Sequence, residues 1–184
     1  MMWGRRSVRR LLFTLLVCLL APRASAQPVT VLAVDDFVRD WQISRRFTLA
    51  VAEAMPAAAY DFKATPEEMT FGEQMMHLTS SLFVAVFRIS GVRPVYDALP
   101  KNVTKDVVLD WIDKSFDYVI QVLPRLSDKQ LSEATFPVNF EGRPGPDING
   151  RDMIMNMFIH VAHHRAQCEV YLRLKGITPP IYTF

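Results

Sequence analysis

Cysteine is scarce in this chain of 184 residues, and the motifs of several enzyme classes are missing. Cys18 and Cys168 are its two cysteines, and they do not form a Cys-x-x-Cys pair. The sequence also contains neither a glycine-rich phosphate loop nor the nucleophile elbow of a serine hydrolase. These absences leave no sequence support for a P-loop nucleotide enzyme, a dithiol redox protein or an α/β-hydrolase.

A long apolar run occurs only near the start of the chain. Four arginines precede the run Leu11–Ala21, which is too short to cross a bilayer as a helix, and Ala-Ser-Ala follows at 24–26. This pattern predicts a cleaved signal peptide over residues 1–26 and one mature domain over 27–184 that works in the periplasm or outside the cell. A short N-terminal anchor is the alternative. After cleavage Cys168 is the one remaining cysteine, so an internal disulfide is excluded.

A strong net charge of either sign is absent as well. The formal charge is +2, but five of the 21 basic residues lie in 1–26, which hold no acid. The predicted mature part therefore has 16 basic residues against 19 acidic ones. Bulk charge gives no argument for a nucleic-acid partner, and we expect no stable membrane insertion after processing.

Helical periodicity is the dominant pattern in the rest of the chain. Apolar residues recur at three- and four-residue spacing over 34–55, 65–90, 104–123 and 151–175. Four helices of this length in one domain predict an all-α fold, a four-helix bundle. Trp41 is expected in its core.

Turn-forming residues separate the predicted helices. Thr65 and Glu68 have the spacing of a capping box and predict the start of the second helix. The segment 135–150 contains three prolines and three glycines and is expected to be a loop. Strands have little support anywhere in the sequence.

The chain has four histidines, at positions 77, 160, 163 and 164. His160 and His164 are four residues apart, so on a helix they lie one turn apart with converging side chains. A helical wheel places both toward the apolar face and turns His163 toward solvent. His77, on the second helix, is the remaining candidate for a third ligand.

Three neutral imidazoles suit zinc, nickel, copper and iron alike, and they leave coordination positions open for catalysis. If each nitrogen lies near 2.1 Å from one ion, the three nitrogens must be about 3–4 Å apart. Two other interpretations stay open at this point. The histidines can be hydrogen-bonded core residues, and the polar face that carries His77 can be a solvent-facing stripe.

Three further side chains lie close to the candidate ligands. Glu73, one turn before His77, can orient that ring or act as the catalytic base, or it can be a solvated surface residue. Gln167 can hydrogen-bond a ligand histidine or simply pack between helices. Cys168 lies at the centre of the apolar face of the last helix and is expected to be an inert buried thiol.

Two segments resemble a known family. Residues 160–180 read HVAHHRAQCEVYLRLKGITPP, which is similar to the C-terminal helix of the DinB-like family, with its pattern H-x-x-x-H-R-x-Q. Residues 71–81 read FGEQMMHLTSS and resemble the second helix of that family, which carries the first histidine. The resemblance extends over 34–182, and the family also includes YfiT-like hydrolases and thiol-dependent transferases.

The resemblance implies a four-helix bundle, often a homodimer, with a divalent metal held by His77, His160 and His164. Zinc or nickel is the expected metal, with iron, manganese or copper as alternatives. The resemblance further implies activation of a thiol or a water molecule in reactions on small molecules. A signal peptide departs from the usual family pattern, which favours hydrolysis over transfer to a cytosolic thiol. We therefore expect an exported metal-dependent hydrolase or transferase, and the alternative is a non-catalytic exported metal-binding or stress protein.

Overall fold

The structure, a computed structural model, describes residues 34–95, 100–133, 135–140 and 143–183. Its helices are α1 (Val34–Ala54), α2 (Phe71–Ser90), α3 (Lys105–Val122), α4 (Asp128–Glu133) and α5 (Gly150–Leu174), and its strands are β1 (Thr135–Phe140) and β2 (Arg143–Asn149). The predicted signal peptide lies outside the described residues. Within these ranges, none of the helices combines the length and the apolar character needed to span a bilayer.

The chain is predominantly helical, as the periodicity predicts. The observed ends of α1, α3 and α5 agree with the predicted ranges to within one residue. Helix α2 packs against α3 and α5, and α1 packs against α3 and, less extensively, against α5. The apolar core lies between these four long helices, and Trp41 is 1% exposed within it.

The predicted start of the second helix is wrong by about one and a half turns. Helix α2 begins at Phe71, and its capping box is formed by Thr70 and Glu73. The Thr70 hydroxyl oxygen accepts from the Glu73 N–H at 3.1 Å, and the Glu73 carboxylate accepts from the Thr70 N–H at 2.7 Å. The pair Thr65 and Glu68 forms only a turn, in which the Glu68 N–H donates to the Thr65 carbonyl. Both pairs have the right spacing, but only the second directly precedes the apolar stretch that α2 buries.

The segment predicted as a loop forms a β-hairpin instead. Strands β1 and β2 pair antiparallel, with Phe136 opposite Ile148 and an irregularity in register between Pro137 and Asn139. Prolines are tolerated because each strand of a two-stranded ribbon pairs on one side only. Phe136, 8% exposed, packs into a small core with Ala85 and Ile89 of α2 and Met153 of α5. The hairpin is thus fixed against the same two helices that carry the histidines.

Candidate metal centre

Helices α2 and α5 bring the three candidate ligands together. The ring centroid of His77 lies 5.0 Å from that of His160 and 4.6 Å from that of His164. The centroids of His160 and His164 are 4.4 Å apart, as expected for residues one helical turn apart. One ligand nitrogen from each ring lies within 4.8 Å of the other two, so the group can hold a metal ion.

The 4.8 Å limit on the separations of these nitrogens includes the spacing that a bound ion requires. Nitrogens that share one tetrahedral zinc at about 2.1 Å are about 3.4 Å from each other. Rotation about the side-chain torsions can bring the nitrogens to that spacing while α2 and α5 stay held by the core.

Exposure differs across the cluster. His164 is 7% exposed, His160 is half-buried and His77 is exposed. The cluster is therefore closed on the side of α5 and open to solvent on the side of His77. A molecule from solution can approach a bound ion from that open side.

A hydrogen bond from α2 orients the most deeply buried histidine. Nδ1 of His164 lies 2.5 Å from Oε1 of Gln74, whose side chain is 1% exposed. An amide oxygen only accepts, so Nδ1 of His164 carries the proton and donates it. The lone pair of this imidazole is then on Nε2, the nitrogen left for a metal ion.

His160 provides the test of whether this site fits a metal. Its Nε2 is buried and has no hydrogen-bond partner among the described residues. A buried polar atom without a partner is costly, and such atoms in native proteins call for an explanation. A divalent cation on this nitrogen supplies the missing interaction. This orphaned nitrogen also argues against the interpretation of the three residues as hydrogen-bonded core histidines.

The surroundings of all three imidazoles favour the neutral form that metals require. Burial lowers the pKa of His77, and burial together with the neighbouring His77 and His163 lowers that of His160. Burial, and then the proximity of His160 and His77, lowers the pKa of His164 to about 4. Metal binding near neutral pH is therefore favoured over proton binding at these rings.

The fourth histidine lies beside the group without belonging to it. The ring of His163 is 5.0 Å from that of His164, but its side chain is exposed and it is not one of the three converging ligands. The helical wheel predicts this orientation. His163 is consequently a natural control for experiments on the other three.

The remaining predicted residues have different surroundings. Glu73 is exposed, and the hydrogen bonds of the α2 cap, the backbone bond from Thr70 first, lower the pKa of its carboxyl. Its role as a base stays a prediction. Oε1 of Gln167 is buried without a hydrogen-bond partner in the described part of the chain. Cys168 is fully buried, as expected, and burial raises the pKa of its thiol.

Gln74 is the site residue that sequence reasoning missed. It lies three residues before His77, on the same face of α2, and that spacing was the available signal. A buried glutamine in an apolar helix has no recognisable pattern of its own, whereas its partner His164 lies 90 residues away in the chain.

Comparisons with known proteins agree with this architecture. The family model described as the DinB superfamily matches residues 40–168, a range that contains all three candidate ligands. No curated protein matches the chain.

Two solved structures share its fold. A DinB-like protein from Bacillus cereus is 20% identical, with a TM-score of 0.64, over 81% of this chain and 97% of its own. A DinB-like protein from Bacillus subtilis is 18% identical, with a TM-score of 0.59, over 79% of this chain and 96% of its own. On the extent of the family match, the chain belongs to the DinB superfamily.

Proposed function

We propose that this protein is an exported metal-dependent hydrolase or transferase that acts on a small molecule. We further propose that its four long helices form the four-helix bundle of the DinB type. The observation that carries the proposal is the convergence of His77, His160 and His164 at a point that is open to solvent on one side.

The chain's own residues have separable roles in this proposal. His160 and His164 supply two ligands from one rigid helix, and His77 closes the group from α2. Gln74 fixes the tautomer and the ring orientation of His164. A divalent ion held by three neutral imidazoles supplies Lewis acidity and lowers the pKa of a water or thiol that binds at its open position.

Zinc and nickel are the favoured ions. All three donors are imidazole nitrogens, which suit zinc, nickel, copper and iron better than they suit magnesium or calcium. Hydrolysis is favoured over thiol transfer, because the predicted export removes the protein from cytosolic thiols.

The same proposal includes cleavage after residue 26, export and a homodimer. N-terminal sequencing of the secreted or periplasmic protein tests cleavage and export, and light scattering tests the homodimer.

Glu73 is the proposed base, although it also caps α2. The variant Glu73→Gln separates the two roles, since glutamine keeps an oxygen acceptor for the cap but cannot take up a proton at neutral pH. Loss of turnover with unchanged melting temperature and metal content supports a role in catalysis. Unchanged turnover shows that the residue serves only the helix.

The decisive experiment is metal analysis of protein purified without a histidine tag. The wild type and His163→Ala are expected to retain close to one zinc or nickel ion per chain after reconstitution and dialysis. The variants His77→Ala, His160→Ala and His164→Ala are expected to lose it, with circular dichroism confirming that each is folded. Wild-type protein that stays metal-free, or His163→Ala losing as much metal as the others, rejects the proposal.

A further inference from the structure

A cleft lies in the groove between α2 and α5, the two helices that carry the candidate metal ligands. Its volume is about 310 Å³, and its lining combines two serines, apolar side chains and one arginine: Ser80, Ser81, Val84, Ala85, Arg88, Met153 and Met157. Among the described residues, its lining comes from the two helices that carry the histidines.

The spacing of residues along both helices places the cleft on the same helix faces as the metal ligands. On α2, Ser81, Val84 and Arg88 follow His77 at intervals of four, seven and eleven residues, which keeps all of them on one face. On α5, Met157, His160 and His164 follow Met153 at the same intervals of four, seven and eleven residues. The cleft therefore begins one helical turn from the ligands.

The chemistry changes along the cleft. Ala85 and Met153 are buried and Met157 is half-buried, so they form an apolar floor. The hydroxyl of Ser81 donates to the carbonyl of His77 at 2.9 Å, so the proton of this hydroxyl is already used within the helix. The middle of the cleft is consequently suited to methylene or aromatic carbon.

Arg88 provides the far end with a positive charge. It is exposed and forms no ion pair with any carboxylate among the residues that the structure describes. Its guanidinium carbon lies 5.4 Å from the ring centroid of Phe136, a cation–π arrangement that gives the side chain a defined position. Phe136 of the β-hairpin thus holds the Arg88 side chain in position, while most guanidinium N–H groups remain available to a ligand.

We propose that this cleft binds the substrate of the metal centre, and that the substrate is an elongated small molecule with a carboxylate bound by Arg88 and an apolar middle. This inference rests on the proposed metal-dependent function. Eleven residues separate His77 from Arg88, about 16 Å along the helix axis. Both side chains lean toward the N-terminus of α2, so this axial separation approximates the reach from the ion to the guanidinium. A chain of roughly six methylene groups between the metal-binding group and the carboxylate fits this reach.

Binding of hydroxamates to the zinc-loaded protein tests the inference without any assay of activity. The probes are suberic acid monohydroxamate, the matching neutral compound whose carboxylate is a carboxamide, and acetohydroxamate, which carries only the metal-binding group. Isothermal titration calorimetry measures their affinities, and the zinc content of every variant is measured in parallel.

We expect the acid to bind the wild type about fivefold more tightly than the amide, as an exposed ion pair allows. Arg88→Met abolishes that preference and leaves the affinity for acetohydroxamate unchanged. Phe136→Leu, which keeps the apolar packing but removes the ring, reduces the preference. Arg46→Met, an exposed arginine on α1 away from the cleft, retains it in full. Higher ionic strength weakens the preference in the wild type.

The possible failures are distinguishable. If zinc and acetohydroxamate bind but the acid and the amide bind equally to the wild type, the role of Arg88 is overturned and the metal centre stands. The same follows if Arg88→Met keeps the preference. If the reconstituted wild type binds neither zinc nor acetohydroxamate, the proposed function and this inference fall together.

Discussion

Replacing Gln74 by leucine removes the hydrogen bond that orients His164 while keeping a side chain of similar size. In the wild type, the 1% exposed amide accepts from Nδ1 of His164 at 2.5 Å. Leucine has no acceptor, so the Nδ1 proton of a buried imidazole loses its partner. Two consequences follow, one for the stability of the metal-free protein and one for metal affinity.

The magnitudes follow from the kind of bond that is lost. A buried donor left without an acceptor costs about 1–3 kcal/mol of folding stability. Loss of the residue that orients a ligand histidine weakens metal binding by about 10- to 100-fold. Tenfold in affinity corresponds to about 1.4 kcal/mol, so the two effects have the same size. We therefore expect Gln74→Leu to bind zinc at least about tenfold more weakly than the wild type.

The assay is competition for zinc with a chromophoric chelator, with urea denaturation of the metal-free protein in parallel. Gln74→Glu is the control, because its carboxylate keeps an acceptor facing His164. It is expected to bind zinc much more tightly than Gln74→Leu. Zinc affinity in Gln74→Leu equal to that of the wild type refutes the orienting role of Gln74.

Three further outcomes are expected. Gly72→Ala places a Cβ 2.7 Å from Val103 Cγ1 and 3.2 Å from the Tyr60 carbonyl oxygen. The free energy of unfolding of this variant is expected to fall by about 1–3 kcal/mol, and an unchanged urea midpoint contradicts the close approach. Thr70→Ala breaks the capping box and costs about 1 kcal/mol without changing zinc affinity, and a loss of zinc instead means that the cap supports the site. The metal-free protein is expected to lose stability as the pH falls from about 6.5 toward 4. In that range histidine binds a proton in the unfolded chain, whereas His164 in the folded protein has a pKa of about 4 and stays neutral. Urea midpoints across that range measure the slope, which is smaller in His164→Gln, and an identical slope in that variant contradicts the assignment.

The sequence was sufficient to predict the long helices because their apolar periodicity extends over many turns. The match at α1, α3 and α5 reflects how strongly such a pattern restricts which face is buried. The start of α2 was missed because two Thr-x-x-Glu pairs lie five residues apart. Choosing between them depends on which residues enter the core, and that is a tertiary property.

The hairpin was missed for a different reason. Its prolines and glycines are typical of loops, and its strands pair only with each other in the described residues. What fixes it is the contact of Phe136 with Ala85 and Met153, which lie on two separate helices. Local composition carries no information about such a contact.

The candidate ligands could be selected from the sequence because the chain has so few histidines. Spacing alone pairs His160 with His164, and elimination leaves His77. Gln74 and Arg88 could not be selected in this way, since glutamine and arginine are common on helices. Their significance depends on what lies opposite them in space.

X-ray absorption spectroscopy of the zinc-loaded protein tests the central claim most directly. The account predicts about three imidazole nitrogens at about 2.0–2.1 Å and a spectrum unchanged in His163→Ala. It predicts one imidazole fewer in His77→Ala when the weakly held zinc of that variant is measured with excess protein and without dialysis. A zinc environment with one imidazole or none, or one that His77→Ala leaves unaltered, contradicts the account.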